Sequence, residues 1–287
     1  MLSVQSSEKP VIEISQHLVD QVVASCRQAG EAILTVYRSI DGIAVDYKAD
    51  DSPLTQADLA AHRLLVKALP TIIPNLPLLS EEGQLPSFAE RQQWRRYWLI
   101  DPLDGTKEFI SRNGEFTVNV ALIEAGEPVL GVVHVPVQDV TYTGARELGA
   151  TKRQADSIQA IRTRSLNELS HHNPSLVKVV ASRRHGGEQQ QDLLQRLEER
   201  FGQIETVSMG SSLKFCLVAE GLADFYPRLA PTSEWDTAAA QAVVEAAGGA
   251  VVDAAFNPLR YNHKDDIINP HFYVWGDRQF NWSDFLQ

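Results

Sequence analysis

The residues with the clearest capacity for chemistry are carboxylates at the ends of predicted elements. The apolar run that begins at Trp98 leads directly into Asp101 and Pro102, and Asp104 follows three positions after Asp101. Pro102 lacks a backbone N–H and therefore interrupts strand pairing. Gly105 permits a backbone angle that is closed to other residues, so a tight turn can bring both carboxylates to one point.

A hard cation is the ligand that such a turn suits. Asp101, Asp104, the carbonyl of Leu103 and the nearby Glu81 supply only oxygen atoms. Oxygen ligands are those that Mg²⁺ prefers, with waters and a substrate phosphate completing its coordination. A solvated Asp-Pro turn explains the same residues equally well on physical grounds, because Asp, Pro and Gly are the commonest turn residues.

Two further carboxylates stand at the starts of predicted helices. Thr55 and Asp58 have the spacing of a capping box, and the helix that they begin is predicted to run to about Leu69, before Pro70. Asp236 opens another predicted helix, where the helix dipole favours an acidic residue. Helix capping is therefore the structural alternative to a catalytic or metal-binding role at both positions.

The apolar patterns around these carboxylates predict a mixed α/β (α+β) chain. Ser15 caps the first predicted helix. Antiparallel hairpins fill the first half, and strands alternate with helices in the second. The predicted strands cover 43–47, 76–80, 97–100, 116–124, 129–135, 140–143, 177–181, 204–207, 223–226, 250–252 and 272–275, and the later helices cover 189–201, 211–220 and 237–247.

We expect one compact unit with two parts. An N-terminal α+β part, residues 1–150, carries the metal-binding and catalytic motifs, and a C-terminal α/β part, residues 151–287, carries nucleotide-binding segments and the last metal ligand. No internal repeat or Pro/Gly linker separates the two parts.

Composition limits the classes of protein that fit. The chain has 287 residues, 44% of them hydrophobic, and a formal net charge of −11. This acidity argues against nucleic-acid polymers as partners. No run approaches the roughly 20 apolar residues of a transmembrane helix. Cys26 and Cys216 lie in apolar helical patterns, which indicates buried thiols in a reducing compartment. We expect a cytoplasmic protein; peripheral association with the inner membrane and the oligomeric state stay open.

Three separated motifs resemble those of a known family. The run Trp98–Thr106, with Glu81 twenty positions before Asp101 and the pair Trp235-Asp236 far downstream, resembles the inositol monophosphatase superfamily of Mg²⁺-dependent, lithium-sensitive phosphatases. The similarity extends from about residue 15 to 275. Four stretches further resemble the 3′(2′),5′-bisphosphate nucleotidase branch, namely Asp101–Phe109, Arg112–Val118, Gly210–Cys216 and Trp235–Ala239.

The resemblance implies the layered α/β/α/β/α sandwich of the inositol monophosphatase and fructose-1,6-bisphosphatase type. It implies two or more Mg²⁺ ions, and it implies that Thr106 and Asp58 orient and deprotonate the attacking water. The implied metal ligands are Glu81, Asp101, the carbonyl of Leu103, Asp104 and Asp236.

The resemblance also implies a small nucleotide substrate. This is adenosine 3′,5′-bisphosphate (PAP), cleaved to AMP and phosphate, with its sulfated relative PAPS as a second candidate. In the segment 182–185, Arg184 replaces the serine that is usual in the branch. The implied substrate contacts are Glu81, Leu103, Asp104, Gly105, Thr106, Ser182, His185, Gly210, Lys214 and Asp236. For His185 and Lys214 a solvated surface position is the alternative.

Three other functions remain as alternatives. An inositol monophosphatase or a broader sugar-phosphate phosphatase is the nearest, although Lys107-Glu108 after Thr106 disfavours it. A non-catalytic regulator that binds Mg²⁺ or a nucleotide would usually have lost a ligand, and this sequence keeps them all. A calcium-stabilised structural protein would not need Asp58 together with Thr106.

Overall fold

The computed structural model describes residues 13–39, 44–48, 53–166, 176–181 and 188–286. The helices are α1 (Gln16–Tyr37), α2 (Gln56–Ile72), α3 (Phe88–Arg91), α4 (Thr106–Ile110), α5 (Glu188–Phe201), α6 (Leu213–Ala219), α7 (Glu234–Ala246) and α8 (Ser283–Leu286). The strands are β1 (Val45–Tyr47), β2 (Pro53–Thr55), β3 (Leu78–Ser80), β4 (Arg96–Asp104), β5 (Thr117–Glu124), β6 (Glu127–Val135), β7 (Val140–Ala145), β8 (Gly149–Gln154), β9 (Ser157–Ala160), β10 (Val177–Ala181), β11 (Ile204–Ser208), β12 (Phe225–Arg228), β13 (Ala250–Asp253) and β14 (Phe272–Trp275).

The strands form two large sheets and one short hairpin. Seven strands pair in chain order from β3 to β9, and all of these pairs are antiparallel except β3 with β4. The second sheet has the order β11-β10-β12-β14-β13, with β10 parallel to both of its neighbours. The hairpin of β1 and β2 is separate.

Helices and sheets alternate in five layers. Helices α1 and α2 pack on one face of the seven-stranded sheet, while α7 packs on its other face. Helix α6 lies beside α7 and contacts β12 and β14 of the second sheet. Leu193 and Leu197 of α5 join Leu286 of α8 in a core on the far side of that sheet. This is the α/β/α/β/α sandwich that the resemblance implies, and the predicted fold class is confirmed.

Two facing glycines set the position of α7. Gly131 on β6 and Gly144 on β7 are paired across the ladder. A Cβ atom at Gly131 would overlap the carbonyl oxygen of Ala239, and one at Gly144 would overlap the backbone around Val243. The helix backbone therefore rests directly on the sheet, and this fixes the height of Asp236 in the first turn of α7.

We expect Gly131→Ala to lower the free energy of unfolding by about 1–3 kcal/mol, the usual cost of overpacking a close contact. The added methyl group must push α7 away from the sheet. Urea unfolding measures the change. Gly83→Ala is the control, because a Cβ atom there meets its nearest neighbour at 3.4 Å. Equal stability of Gly131→Ala and the unchanged protein would contradict the close contact.

The predicted ends of α2 and β4 were wrong. Helix α2 continues through Pro70 to Ile72, because a proline in the last turn removes only one hydrogen bond near the helix end. Strand β4 continues past Ile100 to Asp104. Its pairing with β5 shifts between Asp101 and Asp104, so the missing N–H of Pro102 falls at the irregularity and interrupts no regular ladder.

The other predicted elements agree with the structure to within about three residues at each end. Ser15 caps α1 through its side chain, and the hairpin of β5 and β6 forms around Ala125 and Gly126. Cys26 and Cys216 are buried free thiols. The hairpin of β8 and β9 and the short helices α3 and α4 were not predicted. Within the described ranges, the structure has no helix of the length and apolarity that crossing a bilayer requires.

Candidate metal and active site

Three carboxylates from separate elements meet at one point. Glu81 directly follows β3, Asp101 lies in β4 and Asp236 lies in the first turn of α7. One oxygen from each lies within 4.8 Å of the others. The sequence prediction that these three residues share a site is consistent with this geometry.

The turn after Asp101 has the backbone geometry that its residues favour. Oδ1 of Asp101 accepts a hydrogen bond from the N–H of Leu103 at 3.0 Å. Gly105 has a φ of +94°, the left-handed region that favours glycine. A Cβ atom at Gly105 would also lie 3.2 Å from the carbonyl oxygen of Glu115. The turn therefore holds Asp101 and Asp104 on either side of a buried Leu103.

The charges at this point repel one another. Burial raises the pKa of Asp101 well above its ordinary value, and the neighbouring carboxylates raise it further. The pKa of Asp236 is raised well above its usual range, first by burial and then by Asp104 and Glu81. Burial likewise raises the pKa of Asp104, which Lys214 opposes. A bound cation would relieve this repulsion.

The donor set fits a hard cation. Glu81, Asp101 and Asp236 offer carboxylate oxygens only. The residues around them do not fully neutralise the negative charge that these carboxylates carry when ionised. Oxygen-only sets of this kind suit Mg²⁺ or Ca²⁺ rather than metals that prefer nitrogen or sulfur ligands. A metal-dependent site is what this chemistry supports.

One lysine contacts the edge of the carboxylate cluster. Nζ of Lys48 donates to Oε1 of Glu81 at 2.7 Å and to Oε1 of Glu82 at 2.6 Å. Burial lowers the pKa of Lys48, but the two carboxylates outweigh it and the net shift is upward. The ammonium group therefore stays charged and holds the end of β1 against the turn after β3.

Asp58 and Thr106, the two residues predicted to be catalytic, are joined by a hydrogen bond. The Thr106 hydroxyl donates to Oδ1 of Asp58 at 3.2 Å, while Oδ2 of Asp58 accepts from the N–H and the hydroxyl of Thr55. The predicted capping box is thus present, but it uses only one carboxylate oxygen. Burial raises the pKa of Asp58 above its ordinary value. Helix capping and a contact with Thr106 are compatible.

Asp236 also combines a helix-capping hydrogen bond with a second contact, in its case with the carboxylate cluster. Oδ2 of Asp236 accepts from the N–H of Ser233 at 2.9 Å, closing a capping box at the start of α7. The helix begins three residues earlier than predicted, at Glu234, so Asp236 lies within its first turn. The helix cap therefore holds the carboxylate at the cluster.

A pocket opens beside Asp104 and Asp236. Lys214 and Arg228 are two of its three cationic lining residues, and Lys214 Nζ donates to the carbonyl of Ser211 at 2.8 Å. Burial lowers the pKa of Lys214 to about 8, which leaves the amine largely charged at neutral pH. The remaining lining residues are Gly105, Lys107, Glu108, Met209, Gly210, Ser211, Ser212, Phe215, Tyr226, Thr232, Thr237 and Phe272.

The predictions for Gly210 and for the pair Ser182 and His185 have different outcomes. The N–H of Gly210 donates to Oε2 of Glu115 at 2.7 Å, and α6 begins only at Leu213. The helix predicted over 211–220 therefore begins two residues later than expected, and Gly210 lines the pocket without adjoining the helix start. Ser182 and His185 lie outside the described residues, so their predicted contacts with the nucleotide stay predictions.

Polar residues of β5 were not predicted as part of the site. Thr117 and Asn119 are buried on the sheet face that otherwise presents Ala121 and Ile123 to the layer of α7. Both contact Oδ2 of Asp104, at 3.4 Å each. The signal that could have revealed them is the polar pair at alternate positions of an apolar strand.

Comparisons with known proteins agree with this architecture. The model of the inositol monophosphatase family matches residues 15–279. The 3′(2′),5′-bisphosphate nucleotidase CysQ of Escherichia coli K12 is 49% identical over 257 residues, covering 90% of this chain and 99% of that protein. The same-named protein of Haemophilus influenzae is 37% identical over 278 residues, 96% of this chain and 99% of that protein.

A solved structure gives the same result. The crystal structure of CysQ from Bacteroides thetaiotaomicron has a TM-score of 0.78 and 41% identity with this chain, covering 92% of this chain and 99% of its own. It is described as a bacterial member of the inositol monophosphatase family. With motifs, layers and carboxylate cluster in agreement, the chain belongs to the inositol monophosphatase family.

Proposed function

We propose that this protein is a Mg²⁺-dependent phosphatase that hydrolyses the 3′-phosphate of adenosine 3′,5′-bisphosphate to AMP and phosphate. One observation supports the proposal most strongly. The turn that begins at Asp101, a member of the carboxylate cluster, leads directly to Thr106, and the Thr106 hydroxyl donates to Asp58. Relatives at up to 49% identity over nearly their whole length bear the name 3′(2′),5′-bisphosphate nucleotidase, which supports the substrate class.

The carboxylates are proposed to hold the metal. Glu81, Asp101 and Asp236 lie within reach of one ion, and we assign Asp104 and the Leu103 carbonyl, from the same strand as Asp101, as further oxygen ligands. When bound, Mg²⁺ neutralises phosphate charge and lowers the pKa of water. A protein of net charge −11 needs such neutralisation to accept a phosphate ester.

Asp58 and Thr106 are proposed to move the proton. The Thr106 hydroxyl donates to Asp58 at 3.2 Å, so its oxygen is left to accept a hydrogen bond from the attacking water. Burial raises the pKa of Asp58 and makes it a stronger base than an exposed aspartate. The water proton then passes through the Thr106 hydroxyl to Asp58, and no covalent intermediate with the protein is required.

The pocket supports a nucleotide with two phosphates. Carboxylates border it at Asp104 and Asp236, and cations border it at Lys214 and Arg228. The Arg228 guanidinium is oriented by the carbonyls of Ala230 and Pro231, at 3.0 and 2.9 Å. We therefore place the scissile phosphate at the carboxylates and the second phosphate towards the cations, with the aromatic rings of the lining beside the base.

The proposal predicts a clear substrate preference. Phosphate release is measured from adenosine 3′,5′-bisphosphate, from its 5′-phosphosulfate relative and from inositol 1-phosphate, with Mg²⁺ and with excess EDTA. We expect Mg²⁺-dependent release at least about 100-fold faster, in kcat/KM, from the nucleotides than from the inositol ester, since the latter lacks a group for Lys214.

Each other outcome identifies what is wrong. Preference for inositol 1-phosphate would keep the metal site and overturn the nucleotide pocket. Release that persists in EDTA would overturn metal dependence. A protein that binds nucleotide and Mg²⁺ but releases no phosphate would be a regulator.

A further inference from the structure

Four buried or half-buried polar residues connect the pocket to Asp104. They are Ser211 and Ser212 of the segment before α6, and Thr117 and Asn119 of β5. Thr117 stands opposite Asp104 in the ladder between β4 and β5, and Asn119 stands opposite Asp101. We call Ser211, Thr117, Ser212 and Asn119 the Asp104 network.

Three polar groups of this region lie against one oxygen of Asp104, and two of them, the N–H of Ser212 and Nδ2 of Asn119, donate to it. The N–H of Ser212 donates to Oδ2 at 2.5 Å, and Thr117 Oγ1 and Asn119 Nδ2 lie 3.4 Å from the same atom. None of these three contacts is to Oδ1. The network therefore fixes the rotation of the carboxylate, with the short backbone bond to a charged group as its strongest member.

Counting protons gives the hydrogen bonds a single direction. Ser212 Oγ lies 2.9 Å from Asn119 Oδ1, which has no proton, so Ser212 is the donor. The contact of 2.8 Å between Thr117 and Ser212 must then use the Thr117 proton. The contact of 3.1 Å between Ser211 and Thr117 must in turn use the Ser211 proton.

The Asp104 carboxylate settles how the Asn119 amide is oriented, because a carboxylate accepts hydrogen bonds and must face Nδ2. With Oδ1 accepting from Ser212, Nδ2 faces Asp104 and donates to it. The opposite orientation would place the amide oxygen of Asn119 against the Asp104 carboxylate, two acceptors with no proton between them. Thr117, Asn119 and Ser212 are each at most 2% exposed, so water cannot replace a lost partner at low cost.

The chain begins in the pocket at Ser211. A ligand oxygen that accepts the Ser211 proton removes only the first contact and leaves the bonds from Thr117 to Ser212 and Asn119 unchanged. Asp104 can thus keep its orientation while the pocket fills and empties.

We propose that Thr117, Asn119 and Ser212 are positioning residues that orient Asp104 as a metal ligand and tie the segment 211–214 to the metal site. The inference rests on the proposed function in so far as Asp104 binds Mg²⁺. Partners that orient a metal ligand typically contribute about 10- to 100-fold to metal affinity or activity.

Thr117→Val tests the network with nearly unchanged shape. We expect the Mg²⁺ concentration for half-saturation to rise about 10-fold, the lower end for a residue that orients a ligand. Mg²⁺ alone is titrated and followed by tryptophan fluorescence, since Trp235 adjoins Asp236. Thr117→Ser restores the hydroxyl and should restore affinity. Ser212→Ala keeps the backbone N–H but loses the hydroxyl, so it should raise the Mg²⁺ concentration for half-saturation as Thr117→Val does.

Thr143→Val is the matched control. Thr143 of β7 is buried in the same sheet and its hydroxyl contacts that of Thr151 at 2.7 Å. This variant should lose a similar amount of stability without changing Mg²⁺ affinity. The proposal is overturned if Thr143→Val weakens Mg²⁺ binding as much as Thr117→Val, or if Thr117→Val and Ser212→Ala bind Mg²⁺ normally.

The fluorescence titration separates this inference from the proposed substrate. An unmodified protein that binds Mg²⁺ but releases no phosphate from the nucleotide would refute the substrate, while the comparison of Thr117→Val with Thr117→Ser would still decide the role of the network.

Discussion

Asp101→Asn is expected to lower kcat/KM for the nucleotide by at least about 10²- to 10³-fold, the usual cost of removing one strong electrostatic contact from an active site. The amide keeps the shape of the side chain, and its oxygen can still accept from the N–H of Leu103. What it loses is one negative charge from the cluster with Glu81 and Asp236, so Mg²⁺ binding should weaken with it.

The same substitution should stabilise the protein in EDTA. The pKa of Asp101 is raised well above its ordinary value by burial and by the neighbouring carboxylates. A group with a higher pKa in the folded state binds more protons there, so folding stability is present at low pH and is lost as pH rises above the unfolded-state value. Asp101→Asn removes part of that loss, and its melting temperature should exceed that of the unchanged protein most clearly at neutral pH.

Melting curves from pH 4 to pH 8 in EDTA, together with phosphate release in Mg²⁺, measure both effects. Asp253→Asn is the control, because Asp253 also accepts backbone N–H bonds, from Ala255 and Asn257, but lies outside the carboxylate cluster. Asp253→Asn should neither raise the melting temperature in EDTA nor lower phosphate release in Mg²⁺ as Asp101→Asn does. Normal turnover of Asp101→Asn, or a lower melting temperature in EDTA, would contradict the role given to Asp101.

Much of the candidate site could be predicted from the sequence because it depends on residues that are close together in the chain. The spacing of Asp101, Asp104 and Gly105 predicts the turn because proline and glycine act on their own backbone positions. The capping residues of α2 and α7 are local for the same reason. Features that depend on a few consecutive residues could therefore be predicted before any strand order was known.

Features that depend on packing could not be predicted in this way. The meeting of Glu81 with Asp236 requires α7 to rest on Gly131 and Gly144, a contact between distant parts of the chain. The roles of Thr117 and Asn119 require the register of β4 against β5. The hydrogen bond from the N–H of Gly210 to Glu115 likewise joins two distant segments.

The hairpin of β8 and β9 was missed for a different reason. Apart from the buried Ala150, its residues are half-buried or exposed and largely polar, so they lack the alternation that identifies a strand with one buried face. These strands extend the seven-stranded sheet at its edge. Pairing with β7, rather than burial of an apolar face, is what holds β8 in place.

Thr106→Val is expected to lower kcat by about 10²- to 10⁴-fold, the range for loss of general acid–base catalysis. Valine has nearly the shape of threonine, and α4 is preceded by Gly105 rather than capped by Thr106, so the helix should persist. The variant loses the hydroxyl that donates to Asp58 and that we propose to join the attacking water to it. KM and the Mg²⁺ requirement should change little, because the carboxylate cluster keeps all of its ligands.

Thr106→Ser and Asp58→Asn complete this test. Serine keeps the hydroxyl and should retain most of the turnover. Asparagine keeps the acceptor for Thr55 in the capping box of α2 but is not a base, so Asp58→Asn should match the loss in Thr106→Val. Because both residues serve one proton transfer, the double variant should be little slower than either single variant. Multiplied losses in the double variant would show that Asp58 and Thr106 act separately, and a Thr106→Ser protein as slow as Thr106→Val would show that the hydroxyl is not what the reaction uses.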